Sequence, residues 1–194
     1  MGLLCDREIE ALAVHHGAIT PFVPELIRKT DIPVISYGLS SYGYDLRLSP
    51  REFLIFRHIP GTVINPKAFN PANLELAQLQ EDEYGEFFIL PGNSYGLGVA
   101  IEHLNVPHNV TVIILGKSTY ARCGLICNCT PAEARWRGHL TLEFSNSSAA
   151  DCRVYVNEGV AQALFLQGEN CKTSYEDRAG KYQDQGHCVV LAKL

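Results

Sequence analysis

The stretch of sequence that decides the fold reads His139-Leu140-Thr141-Leu142-Glu143-Phe144-Ser145-Asn146. Apolar and polar residues alternate along it, which is the pattern of a β-strand with one buried face. We expect the apolar positions Leu140, Leu142 and Phe144 to face the core. The opposite face then carries His139, Thr141, Glu143 and Ser145.

Short apolar runs continue this pattern through most of the chain. Gly, Pro and Asn break them at roughly the 8–12-residue spacing of β-sandwiches and barrels, and no helices alternate with them. The sequence therefore predicts a mainly β fold. Its predicted strands cover residues 44–48, 53–56, 87–90, 95–101, 110–115, 140–144, 153–156, 161–166 and 188–191.

One helix is predicted near the N-terminus, over residues 7–16. Apolar residues recur there at helical spacing, Asp6 is the expected N-cap, and Gly17 ends the helix. The prolines that follow, at positions 21, 24 and 33, exclude another long helix nearby.

Composition and charge indicate one globular domain over residues 1–194. Hydrophobic residues make up 46% of the chain, charged residues 19%, and the formal net charge is −5. This charge argues against a nucleic-acid partner, and no apolar run is long enough for a membrane helix. A nucleotide triphosphate needs only a local cluster of cations. The first residues do not show a basic segment followed by an apolar one, so we expect no secretory signal, and seven irregularly spaced cysteines predict reduced thiols in the cytoplasm.

Glu143 is the first candidate for chemistry. A carboxylate in mid-strand is suited to proton transfer if its face of the strand lines a pocket. If that face is open to water, the same pattern describes an ordinary solvated strand surface. The residues alone leave both interpretations open.

The second candidate is the segment Gly116-Lys117-Ser118-Thr119-Tyr120-Ala121-Arg122. It offers a tight turn, two hydroxyls and two cations, which are the groups that bind phosphate oxygens. It is not a Walker loop, because the upstream glycine of that motif is missing. A turn into a short helix with solvated charges is the alternative.

A zinc centre is not indicated by the sequence. Zinc-dependent nucleobase deaminases carry a His-x-Glu and a Pro-Cys-x-x-Cys segment, and neither occurs here. Cys127 and Cys129 would share one face of a strand, where small thiols pack well. Metal binding together with Cys123 and His139 is the alternative.

The polar segment from residue 173 to residue 194, called the tail below, contains scattered aromatic residues. Its composition is typical of a disordered end. Folding over a ligand is the alternative.

Several segments, in a fixed order, make the chain resemble the dCTP deaminase branch of the trimeric dUTPase superfamily. The resemblance covers nearly the whole chain. It implies an antiparallel, jelly-roll-like and dUTPase-like β-barrel with a short N-terminal helix, assembled as a homotrimer with sites between subunits. It rests on Cys5-Asp6-Arg7-Glu8-Ile9, Ser36-Tyr37-Gly38, Ser40-Ser41-Tyr42-Gly43-Tyr44-Asp45, residues 116–124 and 138–146, Glu158-Gly159-Val160-Ala161-Gln162, and Tyr175 with Gly180-Lys181-Tyr182-Gln183.

The same resemblance implies zinc-independent hydrolysis of dCTP to dUTP and ammonia, which supplies dUTP for thymidylate synthesis. Glu143 is the expected general acid/base, and Ser118 and Arg122 are expected to orient the water and stabilise the tetrahedral intermediate. Mg²⁺ is expected on the triphosphate, dTTP or dUTP as an inhibitor, and the tail as a lid over the nucleotide. The expected nucleotide-binding residues are Lys117, Ser118, Thr119, Tyr120, Ala121, Arg122, Thr141, Leu142, Glu143, Gln162, Tyr175, Lys181 and Gln185.

The loop before the Glu143 strand departs from the family pattern. Related deaminases usually read Pro-Phe-Glu-Pro-Glu-Trp-Glu, whereas this chain has Pro131-Ala132-Glu133-Ala134-Arg135-Trp136-Arg137. Three acids become one acid and two arginines, so the local charge changes from −3 to +1. Three interpretations of this change stay open: the loop binds phosphate more tightly, it alters the selectivity for the base, or it marks a divergent or non-catalytic member of the family.

Two rival functions make different sequence predictions. A bifunctional deaminase and dUTP pyrophosphatase would carry an Asp in a Gly-x-Ile-Asp-like stretch, but Asp82 is the only Asp between Asp45 and Asp151. A non-catalytic nucleotide-binding regulator would be expected to lack Glu143, Ser118 or Arg122, and all three are present.

Overall fold

A computed structural model describes residues 2–57 and 59–194 of the chain. The predicted mainly β fold is confirmed. The described residues form α-helices α1 (Asp6–His16) and α2 (Ser118–Ala121), a short 3₁₀ turn (Pro71–Asn73), and the strands β1 (Gly2–Leu3), β2 (Ile19–Thr20), β3 (Leu26–Lys29), β4 (Pro33–Ser40), β5 (Gly43–Phe56), β6 (Leu74–Leu76), β7 (Gln80–Asp82), β8 (Gly85–Leu90), β9 (Tyr95–Asn105), β10 (Val110–Gly116), β11 (Leu125–Asn128), β12 (Arg137–Asn146), β13 (Cys152–Tyr155) and β14 (Gly159–Gln167).

Helix α1 begins one residue earlier than predicted, and its cap is not Asp6. Cys5 is the N-cap, and its backbone N–H donates to the Glu8 carboxylate at 2.9 Å. Asp6 is the first helical residue, where its negative charge suits the positive end of the helix dipole. Gly17 ends the helix in the left-handed conformation, as predicted.

In the part of the chain that the structure describes, the main sheet contains eleven antiparallel strands and curls around one core. Its central order is β1-β14-β5-β9-β12-β11. Strand β10 pairs with β14 along the edge opposite β5. Strand β5 is long enough to serve both halves, because it pairs with β14 at Asp45 and with β9 at Phe53. Strands β13, β8 and β7 form a second, three-stranded sheet.

Strand β12 lies inside the main sheet with the predicted faces. Leu142 and Phe144 are fully buried, while Thr141 and Glu143 on the other face are partly exposed. The Phe144 ring packs on Phe53 at a centroid distance of 5.4 Å. The core therefore fixes Glu143 on the face that points away from it.

The predicted strand at residues 188–191 is wrong. The N–H of Val189 donates to the Glu52 carboxylate at 2.7 Å, and the N–H of Val190 donates to the Thr141 hydroxyl at 3.0 Å. Side chains, rather than a neighbouring strand, take up these backbone groups, so an apolar run here does not form a strand.

The tail packs against the barrel as a series of turns. It reaches β12 where Gln185 forms a parallel bridge with Gly138. A Cβ atom on Gly138 would lie 2.6 Å from the Gln185 nitrogen, so only glycine permits this approach. Neither helix of the described ranges is long and apolar enough to span a bilayer.

Candidate functional site

A cavity of about 740 Å³ opens over the polar face of β12. Residues from the sheet, the loop at residues 131–137 and the tail form most of its walls, together with Phe69, Cys129 and Thr130. These residues are Phe56, Phe69, Tyr95, Leu97, Cys129, Thr130, Pro131, Ala132, Glu133, Trp136, Leu140, Thr141, Glu143, Tyr175, Tyr182, Gln185, Val190, Leu191 and Ala192. Two carboxylates, Glu133 and Glu143, thus stand in a largely aromatic and aliphatic wall, and Glu143 is the one that belongs to strand β12.

Glu143 is held between two neighbouring strands. It lies opposite Asn128 of β11 and Leu97 of β9. The Asn128 side-chain amide donates to a Glu143 oxygen at 3.3 Å. Tyr95 stands beside it, and burial, followed by the Glu143 charge, raises the pKa of Tyr95 to about 12. The site therefore combines a partly exposed carboxylate with fixed hydrogen-bonding neighbours.

Thr141 also faces the cavity, whereas the Leu142 side chain is buried in the core. The Thr141 hydroxyl donates to the Gln185 side-chain oxygen at 3.2 Å. Any contact between Leu142 and a ligand in this cavity would come from its backbone.

Of the three tail residues predicted to bind nucleotide, two line the cavity. Tyr175 and Gln185 form part of its wall. The Tyr175 hydroxyl accepts a hydrogen bond from the Tyr182 backbone at 3.0 Å, which folds the tail around its ring. Lys181 is exposed, donates to the Lys193 carbonyl at 2.6 Å, and is not among the residues that line the cavity.

A second cluster of predicted residues follows strand β10. Lys117 is largely buried and already paired, since its Nζ donates to Asp45 at 2.5 Å and to Ser36 at 3.0 Å. Tyr120 is also buried, and its hydroxyl accepts from the Tyr155 N–H at 2.9 Å. The exposed members of this cluster are Ser118, Thr119, Ala121 and Arg122.

Gln162 belongs to this second cluster. Its side-chain amide donates to Asp45 at 3.1 Å and to Ser40 at 3.2 Å. Neither Gln162 nor any residue from Lys117 to Arg122 is among those that line the Glu143 cavity. A single chain therefore presents the predicted site residues in two separate groups.

Large apolar side chains lie exposed beside the second cluster. Leu115 and Ile126 are 51% and 53% exposed, and Ile113 is 36% exposed. Ile113 and Leu115 belong to strand β10, and Ile126 belongs to strand β11. The two strands lie close together, since a Cβ atom on Gly116 would lie 2.7 Å from the Cys127 carbonyl oxygen.

The 131–137 loop lies beside the cavity, and its two arginines bind the tail. The Arg135 guanidinium donates to Glu176 at 2.7 and 2.9 Å. Arg137 pairs with Asp184 and with Glu176. These contacts were not predicted, because the pairing of an irregular tail with a loop leaves no periodic signal in the sequence.

Tyr95 and Asn128 were also missed as neighbours of Glu143. Both are far from it in sequence, and only the register of β9 and β11 against β12 brings them together. Tyr95 lies in a predicted strand, but the sequence gives no pairing order from which its contact could be found.

The cysteines and histidines of the described ranges are not arranged as a metal centre. No group of three or more His, Cys, Asp and Glu residues in these ranges is positioned to hold an ion. Cys127 is buried in the core, as the packing interpretation predicts, and Cys129 donates to the Thr141 carbonyl at 3.3 Å.

Comparison with known proteins identifies the family. Residues 3–168 match the family model described as dCTP deaminase-like. A dCTP deaminase of Xylella fastidiosa (strain M12) is 50% identical over 190 residues, covering 95% of this chain and 96% of the relative. A dCTP deaminase of Azoarcus sp. (strain BH72) is 46% identical over 196 residues, covering 100% of both chains.

A solved structure supports the fold. The 2′-deoxycytidine 5′-triphosphate deaminase of Agrobacterium tumefaciens matches with a TM-score of 0.55 at 16% identity, covering 86% of this chain and 48% of that one. The family match and the full-length relatives lead to one conclusion. The chain belongs to the dCTP deaminase family.

Proposed function

We propose that this protein hydrolyses dCTP to dUTP and ammonia without zinc, with Glu143 as the general acid/base. The observation that carries the proposal is the position of Glu143 on the cavity wall, hydrogen-bonded to Asn128 and flanked by Tyr95. The relatives named dCTP deaminase indicate the substrate. The missing His-x-Glu and Cys-x-x-Cys segments support the zinc-independent route.

Glu143 moves protons in two directions in this reaction. Water attacks C4 of cytosine while its proton passes to the Glu143 carboxylate and then to N3, which gives a tetrahedral intermediate. Glu143 next takes the proton of the C4 hydroxyl and delivers it to the amino group. The C4–N4 bond breaks, ammonia leaves, and the carboxylate is regenerated. A general acid/base contributes roughly 10²–10⁴ in rate.

Ser118 and Arg122 act on the same substrate from a neighbouring subunit of a homotrimer. They are exposed in the single chain and separate from the Glu143 cavity. The exposed apolar residues Leu115 and Ile126 provide a surface for that contact. Arg122 stabilises the negative charge of the intermediate, and Ser118 orients the water.

The triphosphate lies along the second cluster. Ser118, Thr119 and the backbone of residues 120–121 supply donors, and Arg122 supplies charge. The charge of Lys117 is already paired with Asp45, so we assign it a smaller share. The exposed side chains of the second cluster are hydrogen-bond donors and not carboxylates, so they do not offer the oxygen ligands that Mg²⁺ prefers. This fits Mg²⁺ that is bound through the phosphate oxygens of the substrate. Gln162 contacts the nucleotide from this cluster. The tail closes over the bound nucleotide.

Product analysis tests the proposal against its two rivals. The protein is incubated with dCTP and Mg²⁺, with and without a zinc chelator, and the products are resolved. Ammonia with dUTP in both conditions supports the proposal. Pyrophosphate with dUMP supports the bifunctional rival, although Asp82 pairs with Arg153 outside the cavity lining. Tight binding without turnover supports a regulator.

The substitution Glu143→Gln tests the role of the carboxylate. We expect turnover to fall by at least about 10² because an amide cannot accept the proton of water, while dCTP binding persists because the amide keeps the shape of the side chain. The measurements are the rate of ammonia release and calorimetric binding of dCTP. Turnover near that of the unchanged protein would rule out Glu143 as the acid/base.

A further inference from the structure

The tail contacts the 131–137 loop through a ladder of opposite charges. Glu176 of the tail lies between Arg135 and Arg137, and Asp184 pairs with Arg137. On the other side of the loop, Glu133 pairs with Arg178 of the tail. The charges alternate between loop and tail, so each strengthens the contact between the two segments.

Backbone hydrogen bonds run alongside the ladder. The N–H of Tyr175 donates to the Ala134 carbonyl at 3.0 Å, and the N–H of Asp184 donates to the Arg137 carbonyl at 3.0 Å. The Trp136 indole N–H donates to the Tyr182 carbonyl at 2.8 Å. These hydrogen bonds also hold the tail along the loop, so the ion pairs add to a contact that the backbone already makes.

The acids of the ladder are next to the tail residues that line the cavity. Glu176 follows Tyr175, and Asp184 precedes Gln185. Tyr175 and Gln185 form part of the cavity wall, and Gln185 also contacts Thr141. An arginine thus holds the tail at each end of the segment that covers the Glu143 cavity.

We infer that Arg135 and Arg137 are positioning residues that hold the tail over the substrate cavity by pairing with Glu176 and Asp184. This inference rests on the proposed function, because it takes the cavity to be the dCTP site. The two arginines replace acids of the usual family pattern, so the charge change in the loop acts on the tail. Their pairing makes the substrate affinity of this protein depend on ionic strength.

Trp136 provides a readout that does not depend on catalysis. It is the only tryptophan of the chain and is 4% exposed. Because its indole N–H is bonded to the tail, release of the tail exposes it to water and shifts its emission to longer wavelength.

A charge-swap cycle tests the inference. We compare R135E/R137E, E176R/D184R and the quadruple variant that carries all four changes. Each exposed ion pair contributes little to the binding of the tail, but each double variant breaks three of them and places like charges together. We therefore expect the two double variants to raise KM for dCTP about tenfold with little change in kcat. Their Trp136 emission moves to longer wavelength. The quadruple variant, which inverts the pairs of residues 135 and 137 with residues 176 and 184, recovers both values.

The control is R7E/R28E, which makes the same charge change at exposed positions of α1 and β3. It should change neither KM nor the emission. In the unchanged protein, raising NaCl from about 0.05 to 0.5 M should raise KM and shift the emission, because salt screens exposed charges. R135Q/R137Q should lose the salt response of the emission, which gives a second test if the charge reversals do not fold. The KM of this variant keeps the part of its salt response that comes from the contact of Arg122 with the triphosphate.

Two results would overturn the inference. One is an R135E/R137E variant with unchanged KM and emission, and the other is a quadruple variant as impaired as the doubles. Failure of the proposed function gives a different result: no ammonia is formed by any variant, while the emission still follows the charge-swap pattern.

Discussion

Single side chains around Glu143 are held by the sheet and not by local sequence. Asn128 and Tyr95 come from the strands on either side and leave one face of the carboxylate toward the cavity. Because strand β12 is locked by Leu142 and Phe144 in the core, Glu143 cannot turn away without moving that core. A rigid strand is a precise support for a proton-transfer group.

The two cysteines near Glu143, the buried Cys127 and the half-buried Cys129, should resist modification. Burial raises the pKa of the Cys129 thiol to about 12 and raises that of Cys127 well above its usual range. Since the thiolate is the nucleophile, we expect both to react with iodoacetamide at about pH 8 at least about 10² times more slowly than the exposed Cys188. Peptide mapping over time measures the rates, and denatured protein is the control. Equal rates for Cys129 and Cys188 in folded protein would contradict this account.

At the level of structural elements, three histidine rings support the end of the tail. His187 of the tail stacks on His139 of β12 at 4.4 Å between ring centroids, and His103 of β9 packs edge-on against His139 at 5.3 Å. The Nδ1 atom of His187 lies 3.3 Å from the Arg51 guanidinium, while its Nε2 atom is buried without a hydrogen-bond partner among residues 2–57 and 59–194. The tail is therefore packed on a group of cationic or protonatable side chains.

Acidification should weaken this contact. Burial, then His139 and Arg51, lower the pKa of His187 below its usual value. A histidine with a lowered pKa in the docked state binds fewer protons there, so docking is stable at neutral pH and is lost as pH falls below about 6.5. Asp184 does not explain such a loss, because its hydrogen bond to Arg137 holds the pKa of that carboxyl below its usual range.

Trp136 emission measured between about pH 7.5 and 5.5 checks this prediction. We expect a shift to longer wavelength on acidification, and a smaller shift in His187→Phe, which keeps the stack without a titrating ring. His15→Phe on the exposed face of α1 is the matched control and should behave like the unchanged protein. Identical shifts in His187→Phe and the unchanged protein would show that His187 does not control docking.

Elements with a repeating pattern could be predicted from sequence, and elements held by irregular contacts could not. The alternation of residues 139–146 gave the correct faces of β12, because one face must be buried. The end of the tail was assigned to a strand, but Glu52 and Thr141 bind its backbone. Strand order also leaves no local signal, so the cavity wall could not be assembled from sequence.

At the scale of the whole molecule, one chain presents the predicted site residues in two separate groups. Glu143 stands in the cavity with Thr141, Tyr175 and Gln185, while Arg122 lies in the second cluster. The sequence resemblance implied sites between subunits, and the separation of the groups within one chain is the arrangement that such sites need. The exposed residues Ile113, Leu115 and Ile126 would then be buried on assembly.

Mixed trimers test whether each site combines two subunits. Glu143→Gln and Arg122→Ala chains are each expected to be inactive alone, since each lacks one half of every site. In trimers formed by coexpressing equal amounts, a site is intact when its Glu143 comes from one kind of chain and its Arg122 from the other. Half of the chains carry an intact Glu143 and the other half carry an intact Arg122. Both residues therefore meet in about a quarter of the sites, and about a quarter of the activity should return.

The substitution Leu115→Glu in both chains supplies the control for assembly. It places a charge on the exposed apolar surface, and we expect it to yield monomers by light scattering and to abolish the recovered activity. If Glu143 and Arg122 of the same chain formed each site, mixing the two variants would restore nothing, because no chain would carry both residues. Recovery near a quarter, lost on dissociation, therefore assigns the two groups to neighbouring subunits.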